Sequence, residues 1–310
     1  MDGDRNHSSS DSQNTRIDAV EESFSVLGDE TRLEILFALT EEANKNRVGA
    51  GLSFSELRTR VSVEDSGRFN YHLNKLSETF VTQIDDKYVA RLPGLAVIAA
   101  VYAGAYHDTG TVETKSAETE FTCVCCGKGV TANYGENPLY PGVWVECEEH
   151  GIADRYPVPP GAKSERSVEE LMRVGYSRLC TNLDLARQGI CLQCWGTVSI
   201  EYPTDPPTEQ FKDSHIPTKV SCNRCWNQFP ALPLRMLFVK HPLVASPFRA
   251  RGHTLLETLQ QLARTGDDAP CETTVHDGDP PRASIEITLD DETLVLDVDD
   301  SCTVVDHQWC

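Results

Sequence analysis

Basic residues are scarce in this chain. Its 310 residues include 28 lysines and arginines against 48 aspartates and glutamates, which gives a formal net charge of -20 at pH 7. Phosphate groups are normally bound by a basic surface, so an acidic chain is an unusual partner for nucleic acid. Two interpretations follow: the protein does not bind DNA, or it works in molar salt, where the Debye length is about 3 Å. We favour the second, because acids are spread along the whole chain and arginine far outnumbers lysine.

Long apolar runs and catalytic motifs are also missing. No apolar run approaches the roughly 20 residues of a membrane-spanning helix, and no secretory hydrophobic region is present. The longest apolar stretch is short and alanine-rich, at residues 95–106. We find no glycine-rich phosphate loop, no nucleophile motif with a placed base and no metal motif that leaves an open coordination position. We therefore expect a cytoplasmic protein that is not an enzyme.

Cysteine, by contrast, is plentiful, with 12 residues. Without an export sequence, such a number favours metal ligation over disulfides. Two Cys-x-x-Cys pairs stand 27 residues apart: Cys191 with Cys194, and Cys222 with Cys225. Four thiolates close a tetrahedral site and leave no position for substrate water, which predicts structural zinc, although iron would also fit. A redox dithiol normally needs only one such pair, at the start of a helix.

A second metal site is predicted from two shorter motifs, each followed by glycine. Its ligands would be Cys123, Cys126, Cys147 and His150. Cys125 could replace Cys123, and buried free thiols are the alternative to ligation. Cys180 lies in a helical pattern and is expected in the core. Three cysteines have no metal-like spacing and stay unassigned: Cys271, Cys302 and Cys310.

Residues 52–92 predict a short helix, a turn, a second helix and a hairpin. Ser53 and Glu56 form a capping box that starts the first helix, and Asp65 or Ser66 can cap the second. The second helix has one buried face at i, i+4 and i+7, formed by Phe69, Leu73 and Leu76. No acid lies between Arg68 and Lys75, which favours a recognition helix over an ordinary solvated face. The hairpin turns at residues 85–87.

These motifs resemble a known family. FSVLGDETRLEILFAL, at residues 24–39, is similar to the second-helix sequence of the ArsR-type winged helix-turn-helix regulators. SGRFNYHLNKL resembles their recognition helix and FVTQIDDKYVARLPG their wing. The resemblance covers residues 17–107, about a third of the chain. With an acidic, cysteine-rich C-terminal half, the chain is similar more narrowly to transcriptional regulators of halophilic archaea.

The resemblance implies binding to double-stranded DNA through the second helix. Arg68 is the candidate for a guanine edge and Asn70 for an adenine edge, because both side chains can make paired hydrogen bonds there. His72 would either pack in the core or contact DNA. The remaining implied DNA-binding residues position the backbone or belong to the helix start and the wing: Arg58, Ser66, Tyr71, Asn74, Lys75, Lys87 and Arg91.

The resemblance also implies a homodimer, with the apolar helix predicted at residues 95–107 in the interface. Three interpretations of the C-terminal region stay open: a sensor of an unknown effector, a partner-binding module or an extension of the dimer. A different class of function stays open as well: a zinc-ribbon adaptor that binds protein or RNA, with the winged helix as a protein-interaction domain.

The predicted fold class is α+β, with an N-terminal winged helix-turn-helix domain before an α+β region that contains two zinc-ribbon-like sites. We place a disordered tail at 1–16, the DNA-binding domain at 17–107, a linker at 108–120 and the C-terminal region at 121–310. Within that region we expect a helix opened by a Ser167–Glu170 capping box, two helical pieces between 230 and 263, and a hairpin that turns at Asp290.

Overall fold

The computed structural model describes residues 8–106, 114–136, 141–163, 166–202, 216–265, 269–276, 278 and 280–310. The chain divides into two compact units, Met1–Thr109 and Gly110–Cys310. Helices dominate the first and antiparallel sheets the second, so the predicted mixed α and β class is confirmed. No helix within these described ranges is long and apolar enough to cross a membrane.

The first unit consists of helices followed by a hairpin and a last helix. Its elements are α1 (Ser8–Leu27), α2 (Glu30–Lys45), α3 (Phe54–Arg60), α4 (Ser66–Ser77), β1 (Val81–Ile84), β2 (Lys87–Ala90) and α5 (Leu92–Tyr102). The predicted capping box of α3 is confirmed, since the backbone N–H of Ser53 donates to the Glu56 carboxylate at 2.8 Å. Asp65 caps α4 by accepting from the N–H groups of Gly67 and Arg68. Side-chain oxygens therefore satisfy the free donors at both helix starts.

The core of the first unit lies between α2, α4 and the hairpin. It contains the three predicted residues of α4, each fully buried: Phe69, Leu73 and Leu76. Leu52 joins the hairpin edge, where it exchanges backbone hydrogen bonds with Tyr88. A side chain at Gly51 would collide with the Tyr88 carbonyl, so this close approach requires glycine. Asp85 and Asp86 both take positive φ, the conformation of the tight hairpin turn.

Two predicted boundaries in the first unit are wrong. The disordered tail was expected through residue 16, but α1 begins at Ser8, while residues 1–7 lie outside the described residues. Polar composition suggested disorder, yet no proline or glycine interrupts residues 8–16, so the helix can continue upstream. The helix expected at 95–107 instead spans Leu92–Tyr102, because Pro93 fits the first helical turn and Gly104 takes a positive φ after the helix.

The second unit contains three antiparallel sheets and three α-helices in the ranges described. The first sheet is β3 (Lys115–Thr122), β4 (Gly129–Gly135), β5 (Gly142–Cys147) and β6 (Gly151–Pro157). Next come α6 (Val168–Arg187), then β7 (Val198–Glu201), β8 (Pro217–Cys222) and β9 (Gln228–Pro233). A 3-10 helix (Leu234–Phe238) leads to α7 (Pro242–Ala250) and α8 (Leu255–Ala263). The last sheet is β10 (Cys271–His276), β11 (Arg282–Leu289), β12 (Glu292–Val298) and β13 (Val304–Trp309).

Helix α6 is the centre of this unit. Its apolar face packs on β4 and β5 and also contacts α8 and the 3-10 helix. A single buried cluster takes residues from both four-stranded sheets and from α6, so these elements share one core. The predicted capping box of α6 and the turn at Asp290 are both confirmed.

The linker expected at residues 108–120 is wrong for residues 115–120, which belong to β3. This strand is at the edge of its sheet and exposes most of its side chains, so it is nearly as polar as a linker. Residues 107–113 lie outside the described residues. The first of the two helical pieces expected after residue 230 is only partly an α-helix. Leu234–Phe238 forms a 3-10 helix, and a separate α-helix begins at Pro242.

Candidate functional sites

The four cysteines of the paired Cys-x-x-Cys motifs lie together in the second unit. The first pair follows α6, and the second pair begins at Cys222, the last residue of β8. The Sγ atoms of Cys191 and Cys225 are 3.7 Å apart, and those of Cys194 and Cys222 are 3.5 Å apart. All four sulfur atoms lie within 4.8 Å of one another, so the group could hold a metal ion. The structure therefore brings the predicted ligand set together.

A pair of buried asparagines supports this group. The Asn182 amide on α6 donates to the Asn227 carbonyl at 3.1 Å, and Asn227 returns a hydrogen bond at 3.2 Å. Asn227 Nδ2 also lies 3.5 Å from Cys191 Sγ as a donor. Neither asparagine was predicted from the sequence. The position of Asn227 two residues after the second Cys-x-x-Cys motif was the only local sign, and its partner is 45 residues away.

The neighbouring thiols of this group differ in pKa, so they do not ionise together. Burial opposes ionisation of Cys191, but the N–H groups of Cys194 and Gln193 and two neighbouring thiols lower its pKa to about 6. The pKa of Cys225 is raised to about 12, since burial and three neighbouring sulfurs outweigh the N–H of Asn227. Four thiolates this close repel one another unless a cation lies among them. The arrangement suits a metal ion better than four free thiols.

The second predicted group is also assembled. His150 Nδ1 lies 3.7 Å from Cys123 Sγ and 3.7 Å from Cys147 Sγ, and Cys126 Sγ is 3.7 Å from Cys147 Sγ. The four ligand atoms again lie within 4.8 Å of one another. A hydrogen bond with His150, helped by backbone N–H groups of Glu149 and His150, lowers the pKa of Cys147 to about 6.

Cys123 and Cys125 differ in position, and Cys123 is the one that lies in the group. Cys123 is buried in the group, whereas Cys125 is exposed and accepts a hydrogen bond from the Thr265 hydroxyl. The backbone N–H of Cys125 points to Cys123 Sγ at 3.4 Å, as expected for the turn around a ligand sulfur. Besides Cys125, four cysteines lie outside both groups: Cys180, Cys271 and Cys302, which are buried, and Cys310, which is exposed.

The predicted recognition helix exposes one polar face. Arg68, Asn70, Tyr71, Asn74 and Lys75 are all exposed, opposite the buried apolar face of α4. Ser66 and Gly67 are exposed at its start, and Arg58 on α3 is half-buried. In the described residues, no protein group hydrogen-bonds the side chains of Arg68, Asn70, Asn74 or Lys75. This face is therefore polar, contains no acidic residue and is accessible to a binding partner.

Of three other predicted residues, His72 and Arg91 contact the protein itself, whereas Lys87 is exposed like the residues of the helix face. His72 is buried, and its Nδ1 lies 3.2 Å from an Asp29 oxygen, so it is part of the core. Arg91 donates to the Glu78 carbonyl oxygen at 2.8 Å and helps to fix the hairpin to the end of α4. Lys87, the first residue of β2, is exposed.

Two exposed tryptophans are a further feature that the sequence analysis did not identify. Each follows directly after a Cys-x-x-Cys motif: Trp195 is 85% exposed and Trp226 is 65% exposed. Trp195 has a positive φ, and the Arg224 side chain packs beside the next residue, Gly196. The Cys-x-x-Cys-Trp pattern occurs twice in the sequence, but the sequence does not show that both rings are exposed. Large rings this exposed are typical of contact surfaces.

A polar chain on the last sheet has a geometry unlike that of a hydrolase triad. His276 Nε2 lies 2.6 Å from the Ser284 hydroxyl, which donates to Asp297 at 2.6 Å. In a triad the histidine stands between the serine and the acid and takes the serine proton. Here the serine stands in the middle and its proton is directed to the carboxylate, so the arrangement does not activate a nucleophile.

These features define a two-unit α+β protein with two cysteine-rich groups that could hold metal ions. The chain belongs to the family described as a domain of unknown function (DUF7351), whose model matches residues 120–304, more than half of its length. A second model, also described as a domain of unknown function (DUF7347), matches residues 20–101. Neither description states an activity. No curated protein and no solved structure matches the chain.

Proposed function

We propose that the protein is a DNA-binding transcriptional regulator, with a winged helix-turn-helix domain in its first unit and structural zinc in its second. The observation that carries the proposal is the exposed, acid-free face of α4 above a fully buried opposite face. The hairpin β1–β2 follows at once, in the position of a wing. A helix with this division of its surface fits the major groove of B-DNA.

Local charge supports the same proposal. Residues 52–92 contain six bases and six acids, so they are neutral, and the net charge of -20 belongs to the rest of the chain. The bases are Arg58, Arg60, Arg68, Lys75, Lys87 and Arg91. The acids are Glu56, Glu64, Asp65, Glu78, Asp85 and Asp86. A neutral segment in an acidic protein suits a cytoplasm of molar salt, as in halophilic archaea, where the long-range repulsion between the acidic protein and DNA is screened.

Within this proposal the exposed residues have different roles. Arg68 and Asn70 read guanine and adenine edges through paired hydrogen bonds. Tyr71, Asn74 and Lys75, further along the face, position the sugar-phosphate backbone. Lys87 contacts phosphate from the hairpin, assisted by Ser66 at the helix start and Arg58 on α3. His72 and Arg91 act indirectly, because their side chains already contact the protein.

We further propose a homodimer formed through the terminal helices of the first unit. Ile17, Val20 and Phe24 are 63%, 47% and 61% exposed on α1, although their spacing is that of a buried helical face. Leu92 and Tyr102 on α5 are exposed as well. Pairing of these faces would remove apolar area from water and place two recognition helices on neighbouring half-sites. A monomer in sedimentation at micromolar concentration and molar KCl would refute this part.

Zinc is the metal we propose for both groups. Four ligands at about 2.3 Å around zinc stand about 3.8 Å apart in a tetrahedron, close to the sulfur separations of 3.5 and 3.7 Å. The residues therefore fit the ion, and a closed set of four ligands gives it a structural role. Metal analysis should find two zinc ions per chain. Iron in the four-thiolate group would be visible by its colour, and its presence in native protein would overturn the choice.

Trp195 and Trp226 favour a second candidate, an adaptor that binds protein or RNA through the second unit. Aromatic rings beside an arginine can stack on bases or insert into a partner surface. In this case the double variant Trp195→Ala/Trp226→Ala would lose its partners, whereas charge reversal on α4 would not matter. The two candidates are therefore separated by where a mutation acts.

The decisive experiment maps chromosomal occupancy of the tagged protein in its own cells. Wild type is compared with Arg68→Glu and with Arg47→Glu, an equal charge reversal at an exposed position outside the helices and hairpin. The proposal expects sharp peaks upstream of genes, lost in Arg68→Glu and kept in Arg47→Glu. Equal abundance of the three proteins is checked by immunoblot. Flat occupancy in all three, or peaks that survive Arg68→Glu, would overturn DNA recognition by α4.

A further inference from the structure

The second unit contains an apolar cavity beside the Cys123–His150 metal group. Its volume is about 270 Å³, and it lies between the first sheet and helices α6 and α8. The space is partly open to solvent and is many times larger than the site of one water molecule. A dry cavity of about 150 Å³ can take one benzene ring, so this one has room for one or two rings.

The walls of the cavity select against charge. No aspartate, glutamate, lysine or arginine is among its described lining residues, which are mainly aliphatic, aromatic and sulfur-containing. An ion placed here would lose its hydration without gaining a partner. Gln260 is at the wall and its side-chain amide makes no hydrogen bond with another described residue, so it can pair with one polar group of a ligand.

Both methionines that follow Met1 line this cavity. Met172 comes from α6 and Met236 from the 3-10 helix, and the whole chain has only 3 methionines. Methionine is flexible and polarisable, and its sulfur makes favourable contacts with aromatic rings. The rest of this core is built from aliphatic, aromatic and cysteine side chains. Both methionines of the core therefore lie in the cavity wall, where flexible side chains can adapt to a guest.

One side of the cavity is the metal group itself. Cys123, Cys147 and His150 contribute to the lining, and the exposed Cys125 and Ile152 lie beside them. The two turns that carry the ligands connect β3 to β4 and β5 to β6 in the first sheet, so a bound ion would join them and hold this wall in place. Ligand binding should consequently require the metal-loaded protein.

We propose that this cavity is a binding site for an uncharged aromatic small molecule of one or two rings with a single hydrogen-bonding group. The inference goes beyond DNA binding, because the site lies wholly in the second unit and is assayed without DNA. It makes the second unit a ligand-binding module in addition to a metal-binding one.

Isothermal titration calorimetry on the full-length zinc-loaded protein tests the proposal with 2-naphthol as the probe. The matched charged probe is 2-naphthoate, which has the same rings with a carboxylate. The proposal expects saturable binding of one 2-naphthol per chain and at least tenfold weaker binding of 2-naphthoate. No saturable heat with 2-naphthol, or equal binding of the two probes, would overturn it.

Variants locate the site. Ala263→Phe adds a ring to the cavity wall and Leu256→Gln makes the wall polar; each should weaken 2-naphthol at least tenfold. Ala250→Phe adds the same ring at an exposed position at the end of α7 and should bind as wild type. Circular dichroism shows whether each variant is folded. If one wall variant does not fold, the other still tests the site. If a folded wall variant binds like wild type, the probe sits elsewhere and the assignment fails.

Discussion

Replacement of Asn182 by alanine tests how the four-cysteine group is held. Asn182 and Asn227 are 1% and 5% exposed and exchange two hydrogen bonds at 3.1 and 3.2 Å. Asn182→Ala leaves a donor and an acceptor of Asn227 buried without partners, at about 1–3 kcal/mol for each group. We expect the free energy of unfolding of the second unit to fall by about 2–6 kcal/mol, the sum for the two groups. For a unit of this size, that lowers Tm by about 4–24 °C.

The same change should weaken metal binding. Asn227 also donates to Cys191 Sγ at 3.5 Å, and Asn182 is what orients its amide. Loss of a group that orients a metal ligand typically reduces affinity about 10–100-fold. Competition with a chromophoric zinc chelator measures the affinity, and differential scanning calorimetry of the zinc-loaded protein measures Tm.

Asn223→Ala is the matched control, because it removes the same kind of side chain from the turn between Cys222 and Cys225, close to the same four-cysteine group. Asn223 is exposed, and its hydrogen bonds to Ser199 and Thr197 can be replaced by water. The change should stay within about 0.5 kcal/mol. If Asn182→Ala leaves both Tm and zinc affinity unchanged, or acts no more strongly than Asn223→Ala, the asparagine pair does not position Cys191.

Three further predictions concern α4 and the thiols. Leu73→Ala should lower the free energy of unfolding of the first unit by about 2–5 kcal/mol in urea melts, because the Leu73 side chain is fully buried. The control Asn74→Ala, at an exposed position, should change it by no more than about 0.5 kcal/mol. Equal effects of the two variants would contradict the orientation of the helix. Thiol titration of the metal-loaded protein should release two thiols at once, seven more after chelation and the last three only in denaturant. The first two are Cys125 and Cys310, and the last three are Cys180, Cys271 and Cys302. Burial raises the pKa of those three thiols from 9.0 to about 12; only the unfolded state then loses their protons near pH 9, so stability should fall as pH rises above about 9. A free energy of unfolding that is equal at about pH 8 and about pH 10.5 would count against that burial.

Local patterns were enough to predict much of the first unit. The cap at Ser53, the buried face of α4 and the turn of the hairpin each depend on residues only a few positions apart. Metal-ligand spacing worked for the same reason, since each pair of ligands sits in one turn. The choice between Cys123 and Cys125 could not be made from spacing, because both positions fit the motif and only the path of the chain shows which sulfur points inward.

Sequence alone determined the eight candidate ligands, the helix–turn–helix–hairpin order and the acid-free face between Arg68 and Lys75. These are properties of neighbouring residues, and backbone geometry converts their spacing directly into shared faces and turns. Only the tertiary structure shows that His72 is buried beside Asp29 and that two methionines line a cavity. It also shows that Asn182, on a distant helix, supports Cys191 through Asn227. Such relations join residues far apart in the chain, and they arise only when sheets and helices pack against each other.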